Sequence, residues 1–161
     1  MLKATNDTSA AANLNVAPDG ERMSDVLLGH LGTLERTCAR LEQFADNLPV
    51  SLRQQGVDQM LSSVYDALAR AHRFEEGRLH PQMVGLGFTS TMTFERLRRE
   101  HIEDRAFVEE LQDAFADYQI NPNLIQANQI GYMLRGFFEG MRRHIAFERE
   151  HILPILRSRG L

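Results

Sequence analysis

The sequence predicts an all-α protein folded as an antiparallel up-down-up-down four-helix bundle. Three observations carry this expectation. Apolar residues recur at steps of three and four along four separate stretches, breakers interrupt the chain between them, and no stretch shows the alternation of a strand. The 161 residues suffice for one domain with a real core, expected over residues 21–161.

Residues 1–20, "MLKATNDTSAAANLNVAPDG", are small and polar and end in the turn signal Pro18-Asp19-Gly20, so a disordered N-terminal arm is expected. From Glu21 the pattern turns helical. Met23, Val26, Leu27, His30, Leu31, Leu34, Cys38, Leu41 and Phe44 form the stripe of a first helix, which Asn47-Leu48-Pro49 stops. A second helix is expected after Pro49, with Ser51 as cap. Its stripe is Val57, Leu61, Val64, Leu68, His72 and Leu79, leading to Pro81 and the breaker Gly85-Leu86-Gly87. The third begins near "STMTFERL", capped by Ser90 or Thr91, and presents Phe94, Leu97, His101, Val108, Leu111 and Phe115 before "DYQINPN". The fourth follows Asn121-Pro122, with proline in its first turn, and runs through Ile130, Leu134, Phe137, Met141 and Ile145 to about Arg157.

Composition narrows the function. A net charge of -4 offers no electrostatic footprint for nucleic acid or an anionic membrane, and no apolar run approaches a membrane span. The N-terminal stretch lacks the apolar segment of a secretory signal, so a cytoplasmic location is expected. Cys38 is the single cysteine, which leaves no intrachain disulfide and no cysteine-built zinc or iron-sulfur site. Gly-rich phosphate loops, zinc signatures of the His-Glu-x-x-His type and nucleophile-base pairs are also missing. Any metal here must be held by histidine and carboxylate.

The polar residues on the apolar stripes supply such ligands. In an antiparallel bundle with a rise of about 1.5 Å per residue, His30, His72, His101 and His144 fall at a comparable depth, on the order of 15–20 Å from one end. The spacing also repeats: 42 residues separate His30 from His72 and 43 separate His101 from His144, while His72 to His144 and Glu76 to Glu148 are both 72. Each half of the chain thus gives a lone histidine followed by His-x-x-x-Glu, and a four-residue step stacks the carboxylate one turn beyond the imidazole. Buried without partners, these groups would each cost several kcal/mol. Nitrogen donors with carboxylates that can bridge suit a pair of first-row transition ions, iron being the usual occupant of a helix-bundle core.

The strings "HLGTLERTCARLEQFA", "RREHIEDRAFVEELQ" and "HIAFEREHILPIL" resemble bacterial members of the hemerythrin-like HHE cation-binding domain family, and the likeness covers about Met23 to Arg157. The resemblance implies a hemerythrin-like bundle with a non-haem di-iron centre, His30, His72, His101 and His144 as terminal ligands, and Glu76 and Glu148 as bridging carboxylates. It also implies a small diatomic or peroxide ligand. Members of the family bind oxygen, sense oxygen or redox state, respond to nitric oxide or peroxide, or handle iron.

Several positions depart from the pattern. Oxygen carriers of the family place a second histidine one turn from the third-helix ligand, where Leu97 and Arg105 stand here, with Asp104 or a water as substitute donor. Glu75 is the alternative to Glu76, because Glu75 lies six residues before Pro81 as Glu148 lies six before Pro154. His80 and His151 fall outside the repeat and are expected to be solvated or to support the ligands. Glu148-x-x-His151 has the spacing of a ferritin-like di-iron site, but no other helix supplies its counterparts. Tyr65 and Phe137 are placed to line a cavity above the metals, or to pack, and Cys38 is expected to pack.

The expected function is therefore a di-iron protein reacting with oxygen, peroxide or nitric oxide, for sensing, protection or iron handling. Peroxide consumption or ferritin-like iron oxidation at the same centre, and a metal-independent helical interaction module, are the alternatives. A sensor of this size would need a separate signalling partner, and the oligomeric state is not set by the sequence.

Overall fold

A computed structural model describes residues 21–53, 56–88 and 91–161. The arm expected over residues 1–20 lies outside the described residues, as do Ser90 and the side chain of Thr91, the candidate caps of the third helix.

The first helix, α1, spans Met23–Asp46, and a 3-10 turn, Val50–Arg53, follows it. Next, α2 (Val57–Phe74) passes through a π turn (Glu75–Leu79) into α3 (His80–Gly85) without a break in the rod. The third rod is α4, Thr91–Ile120. The fourth is α5 (Leu124–Phe147), a second π turn (Glu148–Ile152) and α6 (Leu153–Ser158). No strand occurs among the described residues.

The apolar stripes explain the assembly. Leu27, Leu31, Leu34 and Leu41 of α1, Leu61 and Leu68 of α2, Leu97, Leu111 and Phe115 of α4, and Ile130 and Leu134 of α5 are all fully buried in one core. Each contributes on the order of 1.5–3 kcal/mol relative to exposure, which is what holds marginal helices in one bundle. In this bundle α1 packs on α2 and α5, while α4 packs on the same two, closing a square.

Side-chain pairs fix the directions. Glu35, Glu42 and Asp46 of α1 meet Arg149, Arg142 and Arg135 in that order, so one helix ascends as the other descends. Between α2 or α3 and α4 the pairs are His72 with Asp104, Glu75 with His101, and His80 with Phe94, again antiparallel. Phe107 with Phe137 and Glu100 with His144 say the same of α4 and α5.

Two helix starts differ from the sequence expectation. Ser51 does not cap α2. Its buried hydroxyl donates to the Phe44 carbonyl at 2.8 Å and so closes the end of α1, and α2 starts only at Val57, after Gly56 in the left-handed region (φ 89°). Pro122 lies before the fourth rod rather than in its first turn. Asn123 is the cap, its Oδ1 accepting the Gln126 N–H at 2.9 Å. No helix among the described residues is long and apolar enough to cross a membrane.

Phe115 is fully buried and tilted against Phe44, with ring centroids 5.7 Å apart, toward the end of the bundle away from the histidines. Phe115→Ala is expected to cost about 3–5 kcal/mol of folding stability, measured by urea denaturation, without altering metal uptake per folded chain.

Candidate metal centre

Six polar side chains converge where apolar residues would suffice for the fold. His72, Glu75, His80, His101, His144 and Glu148 are all buried, the two carboxylates completely. Buried polar groups in proteins nearly always find hydrogen-bond partners. Here both nitrogens of His72, both oxygens of Glu75 and Glu148, and the Nε2 atoms of His80, His101 and His144 find none.

Glu75 is the hub. Its Oε2 lies 2.9 Å from His101 Nε2 and 3.7 Å from His144 Nε2. Since neither atom of the shorter pair is satisfied, the contact is a close electrostatic approach without hydrogen-bond alignment. Glu148 Oε2 stands 3.9 Å from His144 Nε2. Donor atoms of Glu75, His101 and His144 lie within 4.8 Å of one another, and so do donor atoms of Glu75, His80 and Glu148. The two clusters share Glu75.

The outer nitrogens are held from the other side. Glu76 Oε1 is 2.9 Å from His101 Nδ1, and Glu100 Oε2 is 3.4 Å from His144 Nδ1. A carboxylate at Nδ1 holds a proton there and makes Nε2 the atom that each ring turns inward, the orientation of metal-binding imidazoles. Arg98 in turn lies 3.6 Å from Glu76.

Electrostatics follow from burial and crowding. Desolvation, with His101 adding to it, pushes His72 down to about 3, and desolvation takes His80 down to about 4, so both imidazoles are neutral near pH 7. Burial also disfavours charge on His144, but the Glu75 and Glu148 carboxylates outweigh it and raise the imidazole to about 9. Burial and the neighbouring Glu75 charge raise Glu148 to about 8. Burial likewise opposes charge on Glu75, yet His101 and His144 overcome it and hold that carboxyl below its ordinary range. Without a cation, protons do part of the work of compensating the charge.

Of the residues expected as ligands, His72, His101, His144 and Glu148 meet in this core. His72 stacks on His101 with centroids 3.9 Å apart. Glu76 stands at the rim, and Glu75 occupies the interior. His30 is only half-buried, its ring 5.4 Å from that of Phe74, and burial lowers its pKa. Asp104 lies 3.9 Å from His72 Nε2, and desolvation raises its carboxyl to about 6. His151 is exposed against Phe147, so Glu148 and His151 do not converge as a ferritin-like pair. Phe137 stacks on Phe107, Tyr65 packs half-buried on the core, and burial raises the enclosed Cys38 thiol to about 11.

A cavity of about 410 Å³ between α4 and α5, bordered by Glu100, Asp104, Arg143, His144 and Phe147, touches the cluster at His144.

Sequence spacing passed over His80. The signal that could have found it is the same proline frame that offered Glu75, because Glu75 and Glu148 each open a π turn six residues before a proline and His80 directly precedes Pro81.

The hemerythrin HHE cation-binding domain family matches residues 22–156. The chain belongs to that family. Among curated proteins and among solved structures, none matches it significantly. For an HHE domain, a cation-binding one, the convergence of orphaned imidazole nitrogens and carboxylate oxygens is the expected signature of the binding site, and the donor set fits a metal.

Glu148→Met replaces a buried, unpartnered carboxylate with an apolar chain of similar length. In chelator-treated protein it is expected to raise folding stability by about 1–3 kcal/mol, measured by chemical denaturation, whereas the stabilisation gained on adding metal should shrink.

Proposed function

We propose that this HHE domain is a non-haem di-iron protein whose centre reacts with oxygen, peroxide or nitric oxide, in sensing, protection or iron handling. The observation that carries the reading is the sharing of Glu75 between two three-donor clusters, since a carboxylate with two free oxygens and donors on both sides suits a bridge between two cations. Imidazole and carboxylate donors together favour iron over the soft-ligand metals.

In this reading Glu75, His101 and His144 would hold one cation, and Glu75 with Glu148 would hold the other. His72, stacked on His101 with both nitrogens free, is the adjacent imidazole. Glu76 and Glu100 orient His101 and His144 and do not touch the metals. His30, Asp104 and His151 are outside the ligand set, with Asp104 at the approach from the cavity. Iron bound there supplies open coordination positions and redox exchange with a small ligand. The surrounding chain admits that ligand through the cavity between α4 and α5, excludes bulk water with the apolar layers on either side, and keeps the imidazole lone pairs turned inward.

Protein loaded anaerobically with Fe(II) is expected to hold about two irons per chain, as helix-bundle carboxylate sites do. It should be stabilised by about 2.7 kcal/mol once free metal reaches a hundredfold excess over its dissociation constant. His101→Ala should abolish most of both effects. Metal analysis with thermal unfolding checks this, and a metal-indifferent protein would sink the proposal. Exposure of the loaded protein to peroxide then separates stoichiometric reaction from sustained turnover.

A further inference from the structure

His80 lies outside the histidine repeat, yet its imidazole is buried and its Nε2 has no hydrogen-bond partner. Its position comes from the π turn. In a regular α-helix, a residue five positions on from Glu75 points about 140° away from it. Here the His80 N–H donates to the Glu75 carbonyl, a five-residue step that sets His80 over Glu75 on the inner face. The ring stacks on Phe94, with centroids 4.3 Å apart and planes 23° from parallel, which fixes its orientation.

The two halves of the chain can be aligned through their π turns. Glu75, Leu79, His80 and Pro81 then correspond to Glu148, Ile152, Leu153 and Pro154, each 73 residues on. In this frame the counterpart of His144 is Ala71, which has no donor, and the counterpart of His80 is Leu153, which has none either. The half with Glu75 therefore carries buried imidazoles on both sides of its carboxylate, His72 three residues before and His80 five after, whereas the half with Glu148 has one, His144, four residues before.

We infer that His80 is a metal ligand, completing with Glu75 and Glu148 a second cation position distinct from the one formed by Glu75, His101 and His144. The inference rests on the reading of the core as a metal centre and adds to it an unequal pair of positions. One has two imidazoles and a carboxylate, the other one imidazole and two carboxylates. For a divalent first-row transition ion the nitrogen-rich position binds more tightly, so the His80 position fills second.

His80→Leu tests this, since leucine is the residue the other half carries at the corresponding place. Anaerobic titration with Fe(II) alone, with bound iron counted after desalting, should show two ions in the unaltered chain and one in the variant. Second-step affinity should fall by more than the roughly 10–100-fold that loss of a ligand's supporting partner costs. Electron paramagnetic resonance of the oxidised variant should give the signal of an isolated ferric ion. Should His80→Leu fold poorly by circular dichroism, His80→Asn, shorter and still polar, carries the same expectation. Two ions bound to either folded variant with unchanged affinity overturn the role of His80 alone. One ion in the unaltered chain overturns the second position, and no iron in it overturns both this inference and the metal reading beneath it.

Discussion

The buried carboxylate of Glu75 sets the terms for the middle of this bundle. It is wholly enclosed and faces His101 and His144 at 2.9 and 3.7 Å without a hydrogen bond to either. A lone charge there would be prohibitive in a low-dielectric interior, so cations must compensate it. In the metal-free chain part of that role falls to the proton on His144, and Glu148 is driven toward its neutral form because a second bare carboxylate cannot be accommodated. Protons leave the remaining lone pairs of His72, His80, His101 and both carboxylates unused. A metal cation answers the charge and those lone pairs together, which explains why so many donors without partners persist in a well-packed core.

The four-helix frame was legible in the sequence because its cause is local and periodic. Leu27, Leu31, Leu34 and Leu41, or Leu97, Val108, Leu111 and Phe115, can only be buried together on helices, and the breakers at Pro49, Gly85 to Gly87 and Pro122 separate the rods. The common level of His72, His101 and His144 was legible for the same reason, since helical rise converts residue number into depth. Helix starts were less so. Ser51 looks like a cap for the helix after it and in fact satisfies a carbonyl of the helix before it. Nothing in local sequence chooses between the two.

The choice between Glu75 and Glu76 shows where spacing arguments run out. Relative to His72, Glu75 falls about 60° to one side of the helix face and Glu76 about 40° to the other, so periodicity alone ranks them almost equally. Neighbours decide. Glu76 finds Arg98 and His101 Nδ1 on α4, and the π turn that begins at Glu75 commits Glu75 to the interior. His80 escaped for a related reason: its inward direction depends on one extra residue in a turn, which shifts every later residue by about 100°. His30 has the depth of the other histidines, but its ring rests on Phe74 and stays half-exposed.

The two π turns also explain why a duplicated pattern need not give a symmetric site. Both begin at the buried glutamate and end just before a residue that precedes proline, so the backbone device is the same in each half. What differs is the residue five after the carboxylate, His80 in one half and Leu153 in the other, and the spacing of the imidazole before it, three residues at His72 and four at His144, a single-residue slip between the histidine and glutamate frames. The outer carboxylates follow that asymmetry. Glu76 comes from the same rod as Glu75 and braces His101 across the interface, while Glu100 reaches His144 from α4 beside the cavity. His144 and His80 are thus the buried imidazoles that border cavities, His144 the one between α4 and α5 and His80 one of about 500 Å³ lined also by Glu76, Phe94 and Arg98, while His101 is sealed inside. The two clusters that share Glu75 are therefore approached from different faces of the bundle, one beside His144 and the other beside His80, so neither is set apart from solvent by the fold.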